Sequence, residues 1–101
     1  MPMIPPEMEP LVRLLDELPQ RLAGRDCDDI VDDLAFYRAQ VKNDFTAKVV
    51  CREVVTMCHP RAWGDRFVTG MDHADWILLL QELKAAAETA LGRIERRQAS
   101  G

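Results

Sequence analysis

One long amphipathic segment, from His73 to Gln98, constrains the fold of this 101-residue chain more than any other feature. Its apolar side chains recur at helical spacing and form one broad face. That face contains Trp76, Leu79, Leu80, Leu83, Ala86, Ala87, Ala90, Leu91 and Ile94. A helix of this length measures roughly 40 Å, whereas a compact domain of this size has a radius of gyration of about 13 Å. The helix therefore either spans the molecule or projects from it, and a projecting apolar face would need a partner.

The N-terminal part of the chain predicts two helices. Leucines repeat at intervals of three, four and seven residues, which indicates a first helix ending at Gly24. Its interior Pro19 predicts a kink or a break near Leu18, because proline removes a hydrogen bond and clashes with the preceding turn. A second helix is expected to start at Asp26, whose carboxylate can cap the free amides, and to run to about Lys42.

The third segment, 45–58, is rich in valines that favour strands, but its apolar residues share one helical face and do not alternate. Pro60 ends this helix, and we predict an ordered loop over 59–71 that Trp63 and Phe67 hold onto the core. The prediction is thus an all-α fold, an irregular four-helix bundle with a long C-terminal helix and an ordered aromatic loop before it.

The length fits a single helical domain over 1–101. Prolines near the start predict an extended N-terminal arm over 1–7, and a flexible tail is expected over 98–101. The N-terminus lacks the features of a secretory signal, and no apolar run approaches the roughly 20 residues of a membrane span. An odd number of cysteines without repeated spacing favours reduced thiols. The expected localisation is cytoplasmic, without membrane insertion.

The second helix carries the clearest candidate for a binding surface. Four aspartates and one aromatic residue fall on a single arc of this helix, while apolar side chains occupy the opposite arc. The residues of this arc are Asp28, Asp29, Asp32, Asp33 and Phe36. Carboxylates at a helix start also offset its dipole, so a merely solvated face is the alternative. Like charges four residues apart destabilise a helix, however, and this cost favours a binding role.

A second, smaller surface is possible around the aromatic loop. Leu78 falls on the polar side of the last helix, although single exposed leucines are common. Together with Trp63 and Phe67 it could extend a docking surface or a dimer contact.

Metal and catalytic sites have weak support. Cys51, Cys58, His59 and His73 are residue types that suit zinc, but no CxxC pair is present, so we expect neither a metal nor another cofactor. Adjacent Cys58 and His59 could suggest a thiolate–imidazole pair, yet sequence neighbours seldom adopt that geometry. No phosphate loop or buried carboxylate pair is recognisable, and the chain is not expected to be an enzyme.

The charge distribution favours a basic protein as partner. The chain has a net charge of -4 and a pI near 5.1, which opposes direct binding of nucleic acid. In general character (small, acidic, helical and without catalytic residues) it resembles phage or mobile-element proteins that inhibit a host machine, anti-CRISPR proteins among them. This resemblance of type carries no shared motif, and no site is transferred from it. We therefore expect a non-catalytic binding module whose acidic helix masks a basic, nucleic-acid-binding surface. The alternative is a structural homodimer or assembly subunit joined through the last helix.

Overall fold

The computed structural model describes residues 4–100, and this part of the chain is all-α. The elements in chain order are a 3-10 turn at Pro6–Met8, α1 at Glu9–Leu22, α2 at Asp28–Gln40, α3 at Asp44–Met57, a second 3-10 turn at Trp63–Asp65, and α4 at His73–Ser100. The predicted four-helix architecture with a long C-terminal helix is confirmed. None of the helices within residues 4–100 combines the length and apolar character that crossing a lipid bilayer requires.

Helix α4 is the central strut of the bundle. It packs most extensively against α3, and it also contacts α1 and both 3-10 turns. Its apolar face is buried from Trp76 through Ile94. The molecule measures 46 Å along its longest axis, close to the roughly 42 Å expected of a helix of this length. The strut therefore spans the molecule, and its apolar face is covered by the chain's own core.

The predictions for the two chain ends are partly wrong. The expected arm over 1–7 does not extend to Pro6, where the first 3-10 turn begins and leads to the fully buried Met8. A proline φ near -65° is compatible with the start of such a turn and with an extended arm. The turn is favoured because it allows the Met8 side chain to be buried. The flexible tail expected over 98–101 is wrong for 98–100, which continue α4. There Lys48 Nζ donates to Gln98 Oε1 at 2.8 Å. Residues 1–3 and 101 lie outside the described part.

Helix α1 continues through Pro19 without the break that is one of the two predicted outcomes. It ends at Leu22, two residues before the predicted end at Gly24, which adopts a left-handed φ of 75°. Leu18 and Leu22, which flank the proline, are both buried. Their packing offsets the one backbone hydrogen bond that the proline removes, because tertiary contacts supply most of a short helix's stability.

Asp26 does not cap α2, contrary to the prediction. Its φ of 58° is left-handed, and its carboxylate accepts a hydrogen bond from Thr69 Oγ1 at 2.7 Å. The N-cap position belongs to Cys27, and α2 ends at Gln40, two residues before the predicted Lys42. The Asp26 carboxylate, which the sequence predicts as the cap of α2, therefore binds the distant Thr69 instead.

The loop before α4 is held by Trp63 and not by Phe67. Trp63 is buried, and its carbonyl oxygen accepts a hydrogen bond from Trp76 Nε1 at 2.9 Å. Phe67 is 80% exposed, so the expectation that it anchors the loop is wrong, and its neighbour Val68 is buried instead. Adjacent side chains in extended backbone point to opposite sides, so only one of the two can face the core.

Candidate functional site

Helix α2 presents its acidic arc to solvent as the sequence predicts. Asp28, Asp29 and Asp32 are exposed, Asp33 is half-buried, and Phe36 is 59% exposed. The opposite side of the helix is buried in the core through Ile30, Leu34 and Tyr37. Helical periodicity is sufficient to separate these two faces, because side chains three or four residues apart lie on the same side of a helix.

One of the four aspartates is neutralised within the molecule. The Arg66 guanidinium binds Asp29 with two parallel hydrogen bonds, of which Nη2 to Oδ1 measures 2.9 Å. These bonds hold the pKa of the Asp29 carboxyl below its usual value, and the positive charge of Arg66 adds to the effect. Of the four aspartates in the predicted binding surface, Asp29 is therefore already paired within the molecule. The loop before α4 returns over the start of α2, and this return is a tertiary feature that helical spacing does not encode.

The other three aspartates have no such partner. Within residues 4–100, Asp28, Asp32 and Asp33 make neither an ion pair nor a side-chain hydrogen bond. Partial burial raises the pKa of the Asp33 carboxyl, and the charges of Asp29 and Asp32 raise it further. The face thus holds unneutralised negative charge that a cation from outside would stabilise.

An apolar groove, which we call the α2–α3 groove, has Asp33 as one of its lining residues. Its volume is about 490 Å³. It is lined by Asp33, Phe36, Tyr37, Gln40, Phe45, Thr46, Val49, Val50 and Glu53. Three of its large apolar side chains are well exposed, namely Phe36 at 59%, Phe45 at 72% and Val49 at 40%. Apolar side chains exposed together at one groove are typical of a binding site and not of a solvated helix face.

Sequence reasoning missed Phe45 and Val49. The buried face of α3 consists of Ala47, Val50, Cys51 and Val54. Phe45 and Val49 lie four residues apart on a different side of this helix, and both are exposed. A signal was present in the sequence, since these two large apolar residues do not belong to the face that the periodicity assigns to the core.

Tyr37 is a buried lining residue of the groove, which also contains two acidic residues, Asp33 and Glu53. The ring is buried, lies 6.0 Å from Phe36 and 6.3 Å from Trp63 between ring centroids, and so joins the groove to the core. Burial raises the pKa of the Tyr37 phenol, and the charges of Glu53 and then Asp33 raise it further. Of these two acidic residues, Asp33 lines the groove from α2 and Glu53 lines it from α3.

The predicted second surface does not form as one unit. Trp63 is buried and is wrong as a surface residue, because the loop needs its indole in the core. Phe67 packs against His73 with ring centroids 5.3 Å apart and ring planes tilted by 43°. Leu78 is 62% exposed and lines a separate shallow depression with Met71 and Glu82. Phe67 is not among the side chains of that depression, so the two exposed residues do not share one pocket.

The thiols of Cys51 and Cys58 are in surroundings that suppress their reactivity, and His59 takes part in a local hydrogen bond. Burial raises the pKa of the Cys58 thiol to about 12 and that of Cys51 to about 11. Both thiols are thus protonated near neutral pH. They are unreactive in this form, because the reactive form of cysteine is the thiolate. The His59 Nδ1 atom accepts the backbone N–H of Arg61 at 3.1 Å. Within residues 4–100, no three His, Cys, Asp or Glu side chains are close enough together to hold a metal ion.

No protein-family model matches the chain, and comparisons with curated proteins and with solved structures also give no match. Functional inference therefore depends on the residues and contacts described above.

Proposed function

We propose that this chain is a non-catalytic protein-binding module that docks through α2 and the α2–α3 groove onto a basic surface of another protein. The observation that carries the proposal is the juxtaposition of unneutralised aspartates with exposed apolar side chains. Asp28, Asp32 and Asp33 provide the charge, and Phe36 and Phe45 provide the apolar contact. The two kinds of side chain have complementary uses at an interface.

Charge and apolar area would contribute differently to binding. Complementary charge speeds association and selects the correct partner, whereas a few well-buried apolar or aromatic side chains supply most of the affinity. Burial of Phe36 and Phe45 against a partner would remove both rings from water. Such a surface fits a partner that is positively charged but also offers an apolar contact.

A basic protein surface of this kind commonly binds nucleic acid, whose phosphates it neutralises. The row of carboxylates on α2 would occupy that surface in place of the phosphates. We therefore propose an inhibitor, of the type found among phage and mobile-element proteins, as the more specific form of this function.

The alternative, a homodimer joined through α4, has less support. The homodimer hypothesis requires an apolar face that projects from the molecule. The apolar face of α4 is instead buried by α1, α3 and the 3-10 turns. Leu78 is the large apolar residue that α4 leaves exposed within the described chain. One leucine offers much less area than a stable dimer requires.

The proposal predicts that removal of the three free charges abolishes partner capture. In the variant Asp28→Asn, Asp32→Asn, Asp33→Asn, the side chains keep their shape and lose their charge, so the fold should be preserved. Tagged wild-type protein should capture its partner from a lysate of the native host, and the triple variant should not. Capture should weaken as salt rises, because these charges are exposed and screened. Mass spectrometry of the captured proteins provides the measurement.

The matched control removes three exposed acids from other helices, with Glu17, Glu82 and Glu88 changed to Gln. This control has the same net charge as the triple Asn variant but leaves α2 intact, and it should capture the partner normally. Added single-stranded or double-stranded nucleic acid should compete for the captured protein if the masked surface binds nucleic acid. Equal capture by the wild type and a folded triple Asn variant would refute the proposal.

A further inference from the structure

We infer that the α2–α3 groove accepts a single amphipathic helix of the partner, with an apolar ridge that enters the groove and Lys or Arg residues beside the end where Asp33 and Glu53 lie. This inference rests on the proposed function and identifies the element by which the basic partner would bind. It follows from three properties of the groove: the state of its backbone, the arrangement of its apolar side chains and the position of its charges.

The walls of the groove offer few hydrogen bonds to a ligand backbone. Every lining residue belongs to α2 or α3, whose interior backbone groups are already bonded within the helices. Thr46 Oγ1 is also engaged, since it accepts the backbone N–H of Asn43 at 3.1 Å as part of the cap of α3. An extended peptide buried here would replace few of the hydrogen bonds that its backbone loses to water, at a cost in free energy. A helix satisfies its own backbone, so it is the segment that fits.

The apolar side chains are arranged for a ridge between two helices. Phe36 contributes from α2, while Phe45 and Val49 contribute from α3 with a spacing of one helical turn. A third helix laid between them would insert a row of side chains spaced three and four residues apart, as in ordinary helix packing. The pair Phe45 and Val49, four residues apart, would contact successive positions of that row.

The negative charges at the groove predict that the flanking residues of the partner helix are positively charged. Asp33 on α2 and Glu53 on α3 are the lining residues farthest along the chain from the turn at 41–43 that joins the two helices, so they lie at the same end of the groove. Neither carboxylate has an ion pair within residues 4–100, and Asp32 lies next to Asp33 on α2. Lys or Arg beside the ridge would reduce the repulsion among these unpaired carboxylates, whereas an acidic helix would increase it.

The test uses three synthetic peptides of equal length with a fluorescent label. The first is a helix former with Leu or Phe at helical spacing and Lys and Arg at intervening positions, the second replaces every Lys and Arg with Glu, and the third keeps the composition of the first but contains interior prolines that prevent a helix. Fluorescence anisotropy should show binding of the first peptide at least about tenfold tighter than that of the other two. Amide chemical shifts should change at Phe36, Phe45 and Val49.

Two variants locate the peptide on the protein. Phe45→Ala should weaken binding of the first peptide about tenfold or more, as expected for a central aromatic contact. Phe67→Ala removes the same side chain from an exposed position outside the groove and should change binding little. Phe45 is largely exposed, so Phe45→Ala should fold normally, and circular dichroism checks this.

Several results would overturn the inference. These are equal binding of the three peptides, shift changes confined to other regions, or equal effects of Phe45→Ala and Phe67→Ala. Self-association that Phe45→Ala abolishes would show that a second copy of the chain occupies the groove, and would also overturn it. If the triple Asn variant loses its native partner but Phe45→Ala retains it, docking through the acidic face of α2 survives, while the apolar contact assigned to Phe45 and the helix-binding inference both fail. If the peptide binds as expected but both variants retain the partner, the proposed function fails.

Discussion

Two acidic regions of this molecule differ in whether their charges are neutralised internally. At one end of the bundle, Glu7 and Asp44 both bind Arg97, whose Nη1 and Nη2 atoms lie 3.0 Å and 2.8 Å from the Asp44 carboxylate oxygens. On the face of α2, Asp28, Asp32 and Asp33 have no basic partner within residues 4–100. The first region holds elements of the fold together, whereas the second is available to another molecule.

The difference arises from where the acids originate. Glu7 belongs to the first 3-10 turn, Asp44 to the start of α3 and Arg97 to the end of α4, so this one arginine joins three elements. The aspartates of α2 are close together because one helix carries them, and like charges at that spacing repel. Carboxylates brought together by the tertiary structure with a base are structural. Carboxylates placed together by local sequence without a base favour a binding role.

The largest expected effect on stability comes from Arg97→Ala, which would leave Glu7 and Asp44 unneutralised. Hydrogen bonds from Arg97 lower the pKa of both carboxyls. A lowered folded-state pKa adds stability above the unfolded value near 4, and this stability is lost as pH falls through the folded pKa. Urea denaturation should therefore show a lower midpoint for the variant at pH 7 and a smaller difference in acid.

Arg93→Ala is the control for this comparison, because Arg93 is exposed on the same helix and has no ion pair within the described residues. It should leave the midpoint nearly unchanged. A stability loss in Arg97→Ala that does not diminish at low pH would indicate lost packing and not lost charge.

A smaller effect is expected from Arg66→Gln, which would free Asp29 and make the α2 face more negative. Both side chains of this pair are partly exposed, Arg66 at 38% and Asp29 at 60%, so its loss should cost less than about 1 kcal/mol of stability. Affinity for the basic helical peptide should rise about two- to threefold at low salt and return to the wild-type value at high salt. Anisotropy titrations measure both.

Arg61→Gln is the matched control, since Arg61 lies in the same loop and its side chain makes no ion pair within residues 4–100. If the two variants bind the peptide equally, net charge and not the release of Asp29 would explain any gain. Weaker binding by Arg66→Gln would instead assign the Arg66–Asp29 pair to the binding surface itself.

The smallest effects distinguish two aspartates one turn apart on α2. Burial and like charges raise the pKa of Asp33, so its ionised form costs stability at pH 7. Asp33→Asn should therefore stabilise the protein by about 0.3 kcal/mol at pH 7. This gain should disappear as pH falls through the raised pKa, where wild-type Asp33 becomes protonated. Asp29→Asn should have the opposite sign at pH 7, because Arg66 lowers the pKa of Asp29.

Urea denaturation of both single variants at pH 7 and at acidic pH measures this difference. Asp32→Asn serves as a control for the loss of one charge from the same face. Destabilisation by Asp33→Asn would show that the ionised carboxylate is stabilised in the folded protein, which would contradict the assignment of Asp33 as unneutralised.

The order of residues along the chain is enough to predict the helices and the outward direction of the α2 aspartates. Both follow from periodicity within single segments, where side chains three or four residues apart share a face. The same reasoning placed Phe36 correctly on the exposed side. It could also have marked Phe45 and Val49 as apolar residues outside the buried face of α3.

Which charges and rings are exposed and unpaired depends on how the helices and loops pack together. Arg66 reaches Asp29 across 37 residues, and Thr69 reaches Asp26 across 43. The choice between Trp63 and Phe67 as the loop's buried ring, and the meeting of Phe36 with Phe45 across one groove, also depend on how separate segments pack. Local periodicity specifies the face on which a side chain lies. What lies opposite that face depends on contacts between segments distant in sequence, which no short-range pattern contains.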